Sequence, residues 1–81
     1  MDQDIQANQT LDTKGLLCPM PVIKTQNQIQ NMEVGEILLV EATDPGVLHD
    51  IPAWCRINGH KVLLQYQEDK VCYLFIEVLE D

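Results

Sequence analysis

The hydrophobic patterns of this chain predict an α+β fold, a two-layer sandwich with the order β-α-β-α-β-β. Two helices lie on one face of a four-stranded mixed sheet. Three observations predict it. Glu36 to Ala42 is a near-continuous apolar run that reads as a central strand. Two helical patterns flank that run, and each opens at a proline, Pro19 and Pro45. Two consecutive strand-like segments, His60 to Gln67 and Lys70 to Leu79, then close the chain as a hairpin. With 81 residues the chain has the size of one domain. Such a domain buries only about 60% of the surface its unfolded chain exposes. That leaves little room for a deep pocket, so the chemistry belongs at an edge or an exposed loop.

Residues 1–9 lack apolar periodicity and read as a disordered, frayed tail, and the single domain spans 10–81. Thr10-Leu11-Asp12-Thr13 is a short first strand, and Lys14-Gly15 a turn. The first helix is placed from about Pro19 to Met32, because prolines do no harm in a first turn whose N–H groups have no intrahelical partner. Val22, Ile23, Ile29 and Met32 form its thin apolar stripe. Gly35 ends the connection. The run from Glu36 to Ala42 fits a strand buried on both sides. Asp44 reads as the N-cap of the second helix, with Pro45 at its first position. Val47, Leu48, Ile51, Trp54 and Cys55 follow at helical spacing, with Ile57 at the margin, and Asn58-Gly59 stops the helix. Pro52 falls inside this pattern and predicts a kink, or a division with the main segment starting near Asp50. Glu68-Asp69 reads as the hairpin turn. In the last strand Cys72, Leu74, Ile76 and Val78 face the helices, leaving Val71, Tyr73 and Phe75 on the open face.

Charge and cysteine usage exclude several classes. The formal net charge is -8, from 13 acidic and 5 basic residues. Nucleic-acid binding needs cations that displace counterions, and anionic membranes make the same demand. Direct nucleic-acid and membrane partners are therefore disfavoured, and a protein with a basic docking surface fits better. Three cysteines cannot all pair within one chain, which argues against a disulfide-stapled miniprotein. The acidic, polar start has neither the basic nor the apolar part of a signal peptide. No apolar run approaches the roughly 20 residues of a membrane span. A cytoplasmic location is the expectation.

Cys18 carries the sharpest chemical signal. It stands immediately before Pro19, at the expected N-cap of the first helix, where unpaired N–H groups and partial positive charge favour thiolate over thiol. Lys14 is close enough in sequence to add positive charge. The competing reading makes Cys18 a small apolar filler, since free cysteine is often buried and inert. The flanking prolines Pro19 and Pro21 fix the backbone around the sulfur. On the residues alone both readings stand.

The segment Leu11 to Val22, with Asp12, Lys14-Gly15-Leu16 and Cys18-Pro19-Met20-Pro21, resembles the Cys-Pro-x-Pro motif of the TusA/SirA-like sulfur carriers, which include YedF-type proteins. Glu36 to Ala42, Asp44-Pro45 and Asp50-Ile51-Pro52 resemble the family's strand, Asp-Pro turn and Asp-Ile-Pro helix. The likeness covers about residues 10–79. It implies a fold like the C-terminal domain of translation initiation factor three and a persulfide on Cys18, with Lys14, Gly15, Pro19 and Pro21 in support. It also implies a cysteine desulfurase or rhodanese-like donor and a DsrE-like or other acceptor protein. tRNA thiolation, molybdenum-cofactor synthesis or sulfur oxidation lie downstream. No cofactor is implied. The protein would carry sulfur without turnover of its own, although such carriers are classed as sulfurtransferases. Leu17 and Met20 stand where TusA proteins often carry Arg and Glu, which makes the surroundings of Cys18 more apolar.

The remaining candidates have simpler readings. Cys55 and Cys72 follow apolar periodicities and read as core. His49 and His60 show no metal-ligand spacing with any cysteine, so no metal site is expected. Asp12, Asp44 and Asp50 resemble acid–base residues, but Asp44 reads more simply as a cap and Asp50 as a local helix-start hydrogen bonder, and Trp54 reads as core. The rival functions are a thiol redox module pairing Cys18 with Cys55, and a regulatory interaction protein using Cys18. Nucleic-acid binding by fold analogy is a weaker rival. A monomer or weak dimer is expected, with the open face of the last strand as the contact surface.

Overall fold

The structure is a computed structural model that describes residues 5–80. Its elements follow the expected order: β1 (Gln9–Thr13), α1 (Met20–Ile29), β2 (Ile37–Ala42), α2 (Val47–Asn58), β3 (Lys61–Glu68) and β4 (Val71–Glu77). The four strands form one sheet in the order β1-β2-β4-β3. β1 pairs parallel with β2, Leu11 opposite Val40, and β4 pairs antiparallel with both β2 and β3. A parallel pair needs a crossover connection, and α1 supplies it. The mixed sheet with two helices is the α+β architecture that the patterns predict.

The core lies between the sheet and the helices. Leu38, Val40 and Ala42 of β2 and Cys72, Leu74, Ile76 and Val78 of the last strand and its extension are fully buried. Val47, Ile51 and Cys55 of α2 and Ile29 of α1 pack on them. The alternation in β4 is as expected, with Val71, Tyr73 and Phe75 half-buried on the other face. There Tyr73 stacks on Tyr66 with ring centroids 4.9 Å apart.

Several local expectations are corrected. β2 is central but buried on one side only. Ile37, Leu39 and Glu41 are half-buried on the open face, because nothing in a two-layer fold covers it. α1 ends at Ile29, before Met32, and its buried stripe is Pro21, Thr25 and Ile29. Ile23 is 42% exposed and Ile57 80% exposed. The stripe was hard to read because two of its positions are a proline and a threonine. α2 begins at Val47, after a turn in which Val47 N–H bonds to Asp44 C=O and Leu48 N–H to Pro45 C=O. Asp44 therefore caps that turn, through Gly46 N–H at 3.0 Å, and Gly46 holds the N-cap position. Pro52 does not divide α2. The Leu48 carbonyl, which Pro52 leaves without its helical donor, accepts a bond from the Gln65 side-chain amide of β3 at 3.1 Å. The hairpin turns at Asp69-Lys70, one residue later than expected. Both residues have positive φ, 53° and 70°, the geometry of the two-residue hairpin turn.

The expected tail is shorter than residues 1–9. Gln9 belongs to β1, and Asn8 N–H donates to Ile37 C=O at 2.8 Å. Residues 1–4 of that tail lie outside the described residues, as does Asp81.

Thr25 generates a stability prediction. Its side chain is fully buried under α1, and its hydroxyl has no hydrogen-bond partner among the described residues. An unsatisfied buried hydroxyl costs about 1–3 kcal/mol. Thr25→Val keeps the shape and removes the polar atom. Urea unfolding should show a gain of about 1 kcal/mol, and an unchanged or lower midpoint would mean that the hydroxyl is satisfied.

Candidate functional site

β1 and β2 are parallel neighbours, so the loops that leave their C-terminal ends emerge side by side. Gly15, at φ +86°, turns the first loop back, and its N–H donates to Thr43 Oγ1 of the second loop at 2.9 Å. At the root, Thr13 Oγ1 donates to the Glu41 carbonyl at 2.7 Å. Three residues past the turn, Cys18 N–H donates to Asp44 Oδ2 at 2.9 Å. The sulfur contacts a third element. Cys18 Sγ lies 3.3 Å from Asp50 Oδ2 on the first turn of α2, with the thiol as donor. Gly46 sits against the cluster. A Cβ added there would lie 3.3 Å from Asp44 Oδ1, 3.6 Å from Cys18 Sγ and 3.7 Å from Asp50 Oδ2.

Cys18 is exposed, while Cys55 and Cys72 are buried. One of the three thiols is therefore open to a protein partner. Leu17, Met20 and Ile23, near Cys18 in sequence, are exposed apolar side chains, at 74%, 41% and 42% exposure. Two surface clefts, one along Gln26, Ile29, Trp54 and His60 and one along Leu11, Lys24 and Asn31, lie away from Cys18.

The electrostatics around the sulfur oppose the expected thiolate. Cys18 precedes α1 by two residues, and Pro19 is the N-cap. The helix tip offers few free donors. Pro19 and Pro21 have no N–H, Met20 N–H bonds to Leu17 C=O, and Ile23 N–H bonds to Pro19 C=O. Loss of water around the sulfur, then the Asp50 and Asp44 carboxylates, push the Cys18 thiol from the ordinary 9.0 up to about 12. Asp44 is itself held below the usual carboxylate range by the backbone N–H groups of Cys18 and Gly46. Lys14 does not offset these charges. Its ammonium bonds to Glu41 at 2.7 Å and to Asp12 at 3.4 Å. Of the expected supporting residues, Gly15 shapes the loop, Pro19 begins the helix, Pro21 anchors it in the core, and Lys14 ties β1 to β2.

Asp44 and Asp50 are the site residues that sequence reasoning placed in merely local roles. Each can cap a turn, and nothing in their spacing shows that both also reach a cysteine 26 and 32 positions away. The other candidates lie elsewhere. Trp54 is half-buried and stacks on His60 at 5.4 Å. The His60 Nδ1 accepts from Leu79 N–H at 3.3 Å. Cys55 lies five residues beyond Asp50, about 7.5 Å along the helix axis, with its side chain in the core. That position disfavours a Cys18–Cys55 disulfide.

The chain matches the family described as "Sulfurtransferase TusA" over residues 9–78. It is 38% identical over 73 residues to YrkI of Bacillus subtilis (strain 168), named as a candidate sulfur carrier protein, covering 90% of this chain and 97% of YrkI. It is also 38% identical over 72 residues to YrkF of the same organism, similarly named. That match covers 89% of this chain and 39% of YrkF, a longer protein. A crystal structure of a SirA-like protein from Desulfitobacterium hafniense superposes with a TM-score of 0.78 at 22% identity, covering 89% of this chain and 99% of that one. That likeness speaks for the fold.

The buried thiols predict a pH dependence of stability. Burial pushes Cys55 up to about 12 from 9.0. Below the ordinary value both folded and unfolded chains keep the proton. Above it the unfolded thiol ionises first, so stability falls as pH rises toward the folded value. Between about pH 9 and 11 Cys55 should remove up to about 1.4 kcal/mol per pH unit. Urea unfolding should show that fall, with a shallower slope in Cys55→Ala; equal slopes would contradict it.

Proposed function

The chain belongs to the TusA sulfurtransferase family, and on that premise we propose that it relays sulfane sulfur as a persulfide on Cys18. A sulfur-carrier role is what its curated relatives are named for. The observation that carries the assignment to one residue is exposure. Cys18 stands at the protein surface on a loop tip, and the other two thiols are in the core.

The chemistry follows from thiol exchange. The Cys18 thiol gives its proton to solvent, and the resulting thiolate attacks the outer sulfur of a donor persulfide. A new S–S bond forms at Cys18, the donor S–S bond breaks, and the donor sulfur leaves with the electron pair. The proton on the outer sulfur stays with it, so nothing is oxidised or reduced overall. An acceptor thiolate repeats the step on Cys18–S–SH. The protein contributes position: two loops locked at Gly15–Thr43 and Cys18–Asp44 hold the sulfur clear of the core.

We read the donor as a cysteine desulfurase or rhodanese-like protein and the acceptor as a DsrE-like or other thiol protein. The supply of sulfur to tRNA thiolation, molybdenum-cofactor synthesis or sulfur oxidation lies downstream, in the cytoplasm. The exposed apolar side chains of Leu17, Met20 and Ile23, near Cys18 in sequence, support recognition by a protein surface, since a small sulfur compound would leave them uncovered.

The test is loading. After incubation with a cysteine desulfurase and free cysteine, intact mass without reductant should show one added sulfur on the wild type. Cys55→Ser and Cys72→Ala should also load. Cys18→Ser should fold, because its hydroxyl can replace the thiol as donor to Asp50, and should gain no sulfur. Loading of a folded Cys18→Ser chain at the wild-type rate would overturn the assignment.

A further inference from the structure

The site has one feature that carrying sulfur does not require: the reacting atom faces a carboxylate. Cys18 Sγ is 3.3 Å from Asp50 Oδ2, and its own N–H is bonded to a second carboxylate, Asp44. The charges that act on the sulfur are Asp50 on α2 and Asp44 on the β2–α2 loop, and Lys14 is the cation on the sulfur's own loop. Lys14 is turned away to Glu41 and Asp12. Among the described residues, no salt bridge engages Asp44 or Asp50. Relay chemistry passes through a thiolate on Cys18 twice, once as the attacking group and once as the leaving group. A neighbouring carboxylate opposes that charge in both steps.

Building on the carrier reading above, we propose that Asp50, in contact with the reacting sulfur, acts as a brake on the relay: it slows loading of the free carrier and protects the loaded sulfur from chance thiols. In loading, the carboxylate keeps the proton on Cys18 and lowers the fraction able to attack. In unloading, a thiolate R–S⁻ attacks the outer sulfur of Cys18–S–SH. R–S–SH forms, the Cys18 S–S bond breaks, and the electron pair departs on Cys18 Sγ beside Asp50. The sulfur then takes a proton from water. The second step is slowed because a sulfur that holds its charge poorly is a poor leaving group. The raised affinity of Cys18 for its proton fits the same geometry. Asp44 acts through the Cys18 backbone, so it is a positioning residue.

Two rates test this on the full chain without any partner protein. The first is alkylation of Cys18 by iodoacetamide, a neutral reagent, near pH 8. The second is loss of sulfur to 2-mercaptoethanol, also neutral, after loading with sodium polysulfide, read as intact mass. Asp50→Asn keeps the size and hydrogen bonding and removes the charge. Removing the charge lets the thiol release its proton more easily, each pKa unit raising the thiolate fraction about tenfold, and the accompanying loss of nucleophilicity returns part of it. Asp50→Asn should therefore alkylate about three- to tenfold faster, and its loaded form should lose sulfur faster by a similar factor. Asp50→Glu, which keeps the charge, should stay closer to wild type in both. Unchanged or slower rates in Asp50→Asn would overturn the brake. A change in one rate alone would overturn the claim that one carboxylate governs both steps. Failure of wild-type Cys18 to hold sulfur would instead count against the carrier reading, and the alkylation rates would still decide the role of Asp50.

Discussion

The bond from Cys18 N–H to Asp44 Oδ2 joins the two halves of the site. One partner sits on the loop after β1 and the other on the loop after β2. Because those strands are parallel neighbours, their loops leave the same end of the sheet, and this bond adds to the Gly15–Thr43 bond in holding them together. A hydrogen bond to an ionised group is roughly twice as strong as a neutral one. Asp44 is kept ionised by the N–H groups it accepts, those of Cys18 and Gly46. It thus sets both the turn into α2 and the position of the sulfur. The distance from the sulfur to Asp50 follows, since Asp50 lies on the helical turn that this loop begins.

The fold accounts for why one thiol is usable. Cys55 and Cys72 replace apolar residues at inward positions of α2 and β4 and share the core with Ile51, Leu74 and Ile76. Cys18 belongs to no regular element. Prolines on both sides of Met20 let the chain enter α1 without spending N–H groups on the sulfur. The same prolines remove the anion-binding character that a helix N-terminus otherwise offers. Loss of water and the carboxylates across the loop therefore weigh on Cys18 more than the helix behind it does.

The element order, the hairpin and the mixed sheet were legible because each rests on local signals: the apolar run of β2, the proline starts, Asn58-Gly59 and the alternation of β4. The features that local signals do not carry depend on distant partners. Ile23 looks like a core residue until the helix is docked, when Pro21 and Thr25 prove to be the buried neighbours. Pro52 looks like a break until Gln65 from another strand satisfies the carbonyl it leaves free. Lys14 looks like a cation for Cys18, but strand pairing places Glu41 opposite Asp12, and that acidic pair takes it. Asp50 looks like a helix-start residue, and only tertiary packing brings the sulfur to it. Cys18 itself was legible from its motif, whereas the sign of the charge around it was not.

The central claim is that the Cys18 sulfur, though exposed, is held as a thiol by the partial loss of its water and by the carboxylates it faces. It is tested most directly by following the Cys18 Cβ chemical shift against pH in a sample with carbon-13-labelled cysteine. The account predicts a flat response through the range where an ordinary thiol with a value of 9.0 titrates, and a change only toward about 12. A midpoint at or below 9.0 would contradict it.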